Sequence, residues 1–318
     1  MSISANELST LPLLCEADAA ADNSVQELCR QMKQREDWIA QMLAVHGGIL
    51  FRGFALSRPE DFQTAAQSSI ASLMPYVEGQ SPRSKVADNV YTSTEHPARY
   101  SITLHNELSY AKSPPPRIAF FCLTEPAQGG ETPIVDCRKV CQKMPARIRD
   151  AFETKGVRYV KNMHGDKNGL GKSWMDHFES DDKSVVEAYL DDNGIEFEWL
   201  ADGSLRTSAI RPGVIDHPLT SERIWFNQAN LWHVTNVDER HRGQLIHRCG
   251  IDGLPTHAFY GDGSTIIDED LDEVRKVLWD NSVISPWRQG DFLLLDNFMV
   301  AHGRMPFEGP RKILVAMG

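Results

Sequence analysis

At 318 residues and 41% hydrophobic content, the chain can bury a sizeable core and is expected to fold unaided. A formal net charge of −11 and a pI near 5.5 argue against a nucleic-acid or anionic-membrane partner, because both need a basic face. No stretch approaches the roughly 18 uncharged apolar residues of a membrane span, and the polar opening, residues 1–10, lacks the basic and apolar regions of a signal peptide, so a cytoplasmic protein is expected.

The first element is a helix over residues 24–45, where Val25, Leu28, Met32, Ile39, Met42 and Leu43 recur at helical spacing and Gly47-Gly48 stop it. A short strand at 49–51 follows. Ser57-Arg58-Pro59-Glu60 reads as a capping box that opens a second helix running towards Leu73. Beyond Met74 the pattern changes to short apolar or alternating runs broken by Pro, Gly, Asn and Asp. Strands are expected at 101–104, 118–123, 157–162, 197–200, 205–210, 224–227, 292–297 and 312–317, with a hairpin turn at Asp202-Gly203. Two helices interrupt them, at 137–153 and 269–279, and the segment 165–193 reads as a long insertion of the kind that covers active sites. The expectation is α+β and mainly β: one domain over 1–318, with a helical part at 1–75 and a jelly roll (double-stranded β-helix) at 76–318. The six scattered cysteines form no CxxC pair and are expected to stay reduced.

The chemistry begins at His105-Asn106-Glu107, just past the strand-like 101–104. Residues two apart on an extended chain point to the same side, so one nitrogen and one carboxylate converge. Taken alone, such a pair is weak evidence, because it is more often a surface or core hydrogen bond. A second piece is residues 291–304, a buried strand running into a polar turn that carries His302. Two histidines and one acid would form a facial triad that leaves three adjacent iron positions open. A third is Arg311, which opens the final strand nine residues after His302. A buried arginine is costly unless it meets an anion, and its planar fork suits a carboxylate. Gly129-Gly130-Glu131-Thr132 is a turn whose hydroxyl could share that carboxylate. Each residue also has a plain structural reading: a turn histidine, a surface arginine, an ordinary loop.

Taken together, HNELSY, PAQGGETPIVD, WFNQ and GDFLLLDNFMVAHGRMPFEGPRKILVAM, in that order from residue 90 to the C-terminus, resemble the taurine dioxygenase-like 2-oxoglutarate oxygenases and their clavaminate synthase-like members. The resemblance implies Fe(II) held by His105, Glu107 and His302, 2-oxoglutarate held by Thr132 and Arg311, and O₂ as the oxidant. Glu107 departs from the aspartate of most of the branch but matches the clavaminate synthase-like members. Related halogenases carry a small residue there, so Glu107 argues against halogenation. Asn227 and Gln228 are candidates for the substrate pocket, and Arg304 for a substrate carboxylate. The remaining histidines, His164, His177, His217, His233, His241, His247 and His257, show no second metal spacing. Trp225, Phe226, Trp232 and Trp287 read as core.

The implied reaction is hydroxylation, desaturation or epoxidation of an amino acid or related small acid, in antibiotic or other natural-product biosynthesis. A carrier-tethered amino acid is an alternative, with Arg138-Lys139, Lys143, Arg147 and Arg149 as a modest docking face. Slightly favoured is the free molecule, because carrier proteins are acidic and so is this chain. A zinc hydrolase would also use two histidines and a glutamate, but has no use for Thr132 and Arg311.

Overall fold

The computed structural model describes residues 11–18, 20–75, 83–94, 96–165 and 170–318. The polar opening and residues 166–169 of the expected insertion lie outside them. No helix among the described residues is long and apolar enough to cross a membrane.

Helices and sheets are mixed, and the fold is organised around a seven-stranded sheet in the order Leu13–Glu16, Gly48–Arg52, Phe292–Asp296, Arg117–Thr124, Lys312–Met317, Val90–Thr92 and Lys85–Ala87. Only the first pair is parallel. Phe292–Asp296 is buried along its whole length, because both faces of the sheet are covered. The two-residue period sorts its side chains. Phe292 and Leu294 join Phe51, Phe62 and Phe121 under the N-terminal helices. Leu293 and Leu295 point the other way, with Phe120, Ile313 and Val315. Phe51 and Phe121 both pair with Phe292, whose ring lies 5.8 Å from that of Phe51 and 5.7 Å from that of Phe62.

Facing this layer is a three-stranded sheet, Ile102–His105, Val300–Arg304 and Ile134–Asp136, with Val300–Arg304 at its centre. A four-stranded antiparallel sheet, Glu196–Trp199, Leu205–Arg211, Val157–Met163 and Thr256–Tyr260, stands beside them, its first two strands joined through Asp202-Gly203 as expected.

Several expectations need correcting. The 24–45 helix is two, Val25–Gln34 and Glu36–His46, because Arg35 leaves the helical region at φ −123°, ψ 32°. The 137–153 helix is also two, Cys137–Lys143 and Ala146–Lys155. Met144 precedes Pro145, whose ring disfavours the α region there, and it is extended. The helix at Pro59 ends at Gln67, and its cap sits one residue later than expected: Asp61 accepts from the Ser57 and Arg58 amides. Residues 1–75 are not a purely helical part, since two of their strands complete the main sheet. Within the expected insertion, residues 170–193 carry two helices. Helices Trp174–Phe178 and Lys183–Asp192, capped by Ser173 and Asp182, pack Trp174, Val186 and Leu190 on Met163 and Leu205. The cysteines are all free, as expected, and burial pushes the Cys122 thiol up to about 12.

Phe292 is the central ring of the N-terminal aromatic cluster and is fully buried. Phe292→Ala should cost about 3–5 kcal/mol of stability, read as a lower urea midpoint at unchanged slope.

Candidate active site

His105 and His302 arrive by strand pairing. They are direct partners across the antiparallel Ile102–His105 and Val300–Arg304 strands, with ring centroids 4.6 Å apart. His302 was expected in a polar turn, but the turn comes earlier. Asp296 accepts from the amides of Phe298 and Met299, and the chain re-enters a strand at Val300. Gly303 permits the approach of this strand to its neighbour, since a Cβ there would stand 2.6 Å from the Ile102 carbonyl oxygen.

Glu107 lies two residues past the end of its strand, so extended geometry alone does not aim it. Leu108 turns the chain in the left-handed region, φ 53°, a conformation a leucine holds only when its surroundings enforce it. The enforcement is visible. Asn297 accepts from the Glu107 amide at 2.8 Å and donates to the Glu107 carbonyl at 2.9 Å and the Pro115 carbonyl at 2.9 Å. Asn106 donates back to the Asn297 carbonyl at 2.8 Å. The amides of Gln228 and Asn230 hold the carbonyls of Asn106 and Leu104. The Glu107 amide and carbonyl and the Asn106 and Leu104 carbonyls thereby have partners in the interior.

The donor atoms of His105, Glu107 and His302 lie within 4.8 Å of one another, the one such group of His, Cys, Asp and Glu among the described residues. Glu107 Oε2 is 3.7 Å from His302 Nε2. His105 Nδ1 is 2.7 Å from the Thr103 carbonyl, which can only accept, so Nδ1 carries the proton and the Nε2 lone pair is left for a ligand. Burial, with His302 next, pushes the His105 imidazolium down to about 4, so the ring is neutral at pH 7. Burial would raise the Glu107 carboxyl, but the Arg83 guanidinium and the two histidines outweigh it and hold it well below the carboxylate range. Two imidazoles and one carboxylate fit a divalent metal of the iron type. Phe120, edge-on to His302 at 4.9 Å, closes the inner wall.

Arg311 lines the same pocket as His105, His302, Phe120 and Thr132. Its Nε donates to the Gly130 carbonyl at 2.8 Å and one Nη to Ser93 Oγ at 3.2 Å, which fixes the fork. A Cβ on Gly130 would stand 2.9 Å from Arg311 Cδ, so the glycine pair leaves the path the arginine takes. Burial, then the charge of Arg304, lowers Arg311 to about 10, and it remains a cation at pH 7. Thr132 Oγ1 accepts from the Trp287 indole at 3.1 Å, so its own hydrogen is left to donate. Trp287, expected as core, is buried and also sets this hydroxyl.

The substrate candidates look different in the fold. Arg304 donates to the carbonyls of Thr94, His96, Pro97 and Tyr100, three of them at 2.8 Å, so it clamps the 94–100 loop rather than reaching for a carboxylate. Asn227 is buried against Gly213 and Ala229, and Gln228 supports the Asn106 peptide; both position the site from behind. His217 pairs with Asp296, while His233 lies against His257, the rings tilted by 35°. The sequence reading missed Arg83, whose guanidinium donates to Glu107 Oε2 at 2.8 Å with both side chains nearly excluded from solvent. It also missed the clamp of Asn106 and Asn297. Asn297, ending a run of buried leucines, was a legible polar signal. Arg83, in a polar stretch 22 residues before His105, carried none.

Comparison with known proteins identifies the family of the chain. Residues 12–317 match the family described as taurine catabolism dioxygenase TauD, TfdA family. The chain is 39% identical to the dapdiamide synthesis protein DdaC of Enterobacter agglomerans, over 88% of this chain and 84% of that one. It is 29% identical to a clavaminate synthase-like protein of Arabidopsis thaliana, over 90% and 86%. Among solved structures it is similar in fold to PvcB of Pseudomonas aeruginosa, with a TM-score of 0.53 at 15% identity, covering 96% of this chain and 84% of that one.

Removing the Asn297 side chain leaves the Glu107 amide and two carbonyls without partners in the interior. Asn297→Ala should lower stability by about 2–4 kcal/mol in urea unfolding and weaken divalent-metal binding, measured by calorimetry.

Proposed function

This chain belongs to the taurine catabolism dioxygenase TauD, TfdA family, and from that premise we propose that it oxidises a small, amino-acid-like acid at a centre formed by His105, Glu107 and His302. It is a 2-oxoglutarate-dependent non-haem iron dioxygenase, with Fe(II), 2-oxoglutarate and O₂ as its requirements. The observation that carries the reading is the convergence of the three donors beside a buried, still-charged Arg311.

In this proposal His105, Glu107 and His302 would hold the iron, and two imidazoles with one carboxylate would leave it positions for other ligands. Bound there, iron(II) supplies the redox chemistry by which 2-oxoglutarate is decarboxylated to succinate and CO₂, with one atom of O₂ entering succinate. Arg311 takes the distal carboxylate of 2-oxoglutarate by its fork, and Thr132, its acceptor side occupied by Trp287, donates to the same group. Phe120 and Ile102 keep water from the reacting end. The other oxygen atom enters the substrate as hydroxyl; desaturation or epoxidation of the same position is the variant outcome. We read the seven- and three-stranded sheets as the two faces of a double-stranded β-helix, and the whole chain as one functional domain.

The relation to a dapdiamide synthesis protein supports a role in natural-product biosynthesis. A free substrate is favoured over a carrier-bound one by the 137–155 region. Arg138 is paired with Asp136 and Glu222, Arg147 with Asp270, Arg149 with Asp150, and Lys155 with Asp262, so four of its six cations are already matched by acids.

The deciding experiment is a screen of amino acids and small acids for substrate-stimulated succinate release, with mass spectrometry of the products. Turnover only of carrier thioesters would overturn the free-substrate reading. His105→Ala, Glu107→Ala and His302→Ala should each lose iron binding and coupled turnover together; near-wild-type iron affinity in any of them would remove that residue from the centre. Arg311→Ala should raise the apparent 2-oxoglutarate constant by tens to hundreds of times, about 2–4 kcal/mol, with little change in iron affinity. Unchanged co-substrate saturation would place the anchor elsewhere.

A further inference from the structure

Beside the metal pocket lies a second, smaller cavity that the proposed reaction does not use. Leu50, Ile134, Trp287 and Leu293 form its buried end with Thr132, and Val283, Ser285 and Pro286, all exposed, form its rim. The centre of a water-sized molecule has about 20 Å³ in it, above the roughly 10–15 Å³ that one such guest needs. The polar groups around it are committed to partners. Asp291 accepts from Arg52 Nε at 2.8 Å, from Arg52 Nη2 at 2.6 Å and from the Arg288 amide at 2.8 Å, and the Trp287 indole donates to Thr132. A water inside would find few of the roughly two to four partners it needs, whereas the aliphatic walls favour an apolar guest. Only a layer of paired side chains separates the buried end from the metal pocket. Ile134 is the direct strand partner of His302, and Leu293 of Phe120, so the members of each pair stand side by side on one face of their sheet. His302 and Phe120 line the metal pocket, and Thr132 lines both spaces. The cleft of about 530 Å³ that shares Arg304 and Arg311 with the metal pocket has a different character, since it adds His96, Thr124 and Lys312. A charged dicarboxylate is suited to that cleft, and an uncharged diatomic gas to the apolar cavity.

We propose that this cavity is the path by which O₂ reaches the metal pocket: the gas enters at the rim of Val283, Ser285 and Pro286, is held between Leu50, Ile134 and Leu293, and passes inward beside Thr132 as the Ile134 and Leu293 side chains move. This rests on the oxygenase reading and adds to it a binding site for the gas. O₂ is apolar, so transfer from water to aliphatic surroundings favours it as it favours any apolar solute. A diatomic needs no permanent channel, because rotamer changes of packed side chains are enough to let it through. The separation has a consequence for the order of events. A path that does not cross the cleft of Arg304 and Arg311 stays open when the charged molecules are bound, so O₂ enters last without displacing them.

Two measurements test it, on the wild type and on variants at the two ends of the cavity: Leu50→Phe, which fills the buried end, and Val283→Trp, which covers the rim. Each variant is checked by thermal melting, and because Val283 is exposed, its variant takes over both measurements if Leu50→Phe fails to fold. In the first, crystals of the metal-free protein are pressurised with xenon, an apolar atom that binds without chemistry. Xenon should occupy the cavity in the wild type and be lost from Leu50→Phe. Absence of xenon between Leu50, Ile134 and Leu293 in the wild type would overturn the site. In the second, succinate release by iron(II)-loaded protein supplied with 2-oxoglutarate is followed against O₂ concentration. Both variants should lower kcat/KM for O₂ on the order of 3- to 10-fold, with kcat at saturating O₂ and the 2-oxoglutarate constant little changed. An unchanged O₂ dependence in Leu50→Phe would overturn the path, and so would an equal shift of the 2-oxoglutarate constant, since the metal pocket itself would then have changed. Succinate release by the wild type separates the two failures: its presence leaves the oxygenase reading standing without the path, and its absence sinks that reading as well.

Discussion

The antiparallel register that sets His302 opposite His105 is the constraint on which the rest of the centre depends. These residues come from distant parts of the chain, and the entropy of closing so long a loop is recovered only when the whole three-stranded sheet forms and packs. A slip of one residue would turn His302 to the other face, away from His105 and Glu107. Two features prevent it. Gly303 admits the close approach of the strands, and the Asn297 amide ties the turn before His302 to the peptide of Glu107. The same asparagine thus sets the register of one proposed iron ligand and the orientation of another.

Behind that sheet, the long strands act as a rigid wall whose two faces do different work. Leu293, Leu295 and Phe120 face the centre, and Phe120 meets His302 directly. Phe292, Leu294 and Phe121 face the N-terminal helices. The N-terminal strands Leu13–Glu16 and Gly48–Arg52 extend this wall, and Arg52 grips the buried Asp291 at the start of the strand that leads to His302. Segments distant from the reacting atoms therefore determine how firmly those atoms are held.

Electrostatically, the molecule separates its surface from its interior. A net charge of −11 sits on a chain whose central cleft presents arginines. Long-range attraction for an anionic co-substrate is not what the surface provides; the selection is made inside, where low dielectric strengthens each charge-assisted contact and fixed carbonyls hold the guanidinium groups in place. The arginines are held differently: Arg304 by the carbonyls of Thr94, His96, Pro97 and Tyr100, and Arg311 by the Gly130 carbonyl and the Ser93 hydroxyl.

By itself, the sequence determined most of the strand pattern, the hairpin at Asp202-Gly203 and the identities of His105, Glu107, His302, Thr132 and Arg311 as candidates, because alternation, turn chemistry and metal-ligand residue types are local properties of the chain. It placed helix ends less well where the break had no glycine, as at Arg35, and it put His302 in a turn because the residues around it are polar. Only the tertiary structure decided what each polar group meets. Arg304 went to backbone carbonyls, Asn227 and Gln228 went behind the site, Trp287 came forward to Thr132, and Arg83 arrived at Glu107. Hydrogen-bond partners and buried charge pairs are made between segments far apart in the chain, so residue type gives the capacity for a contact and only the packing of strand on strand assigns it.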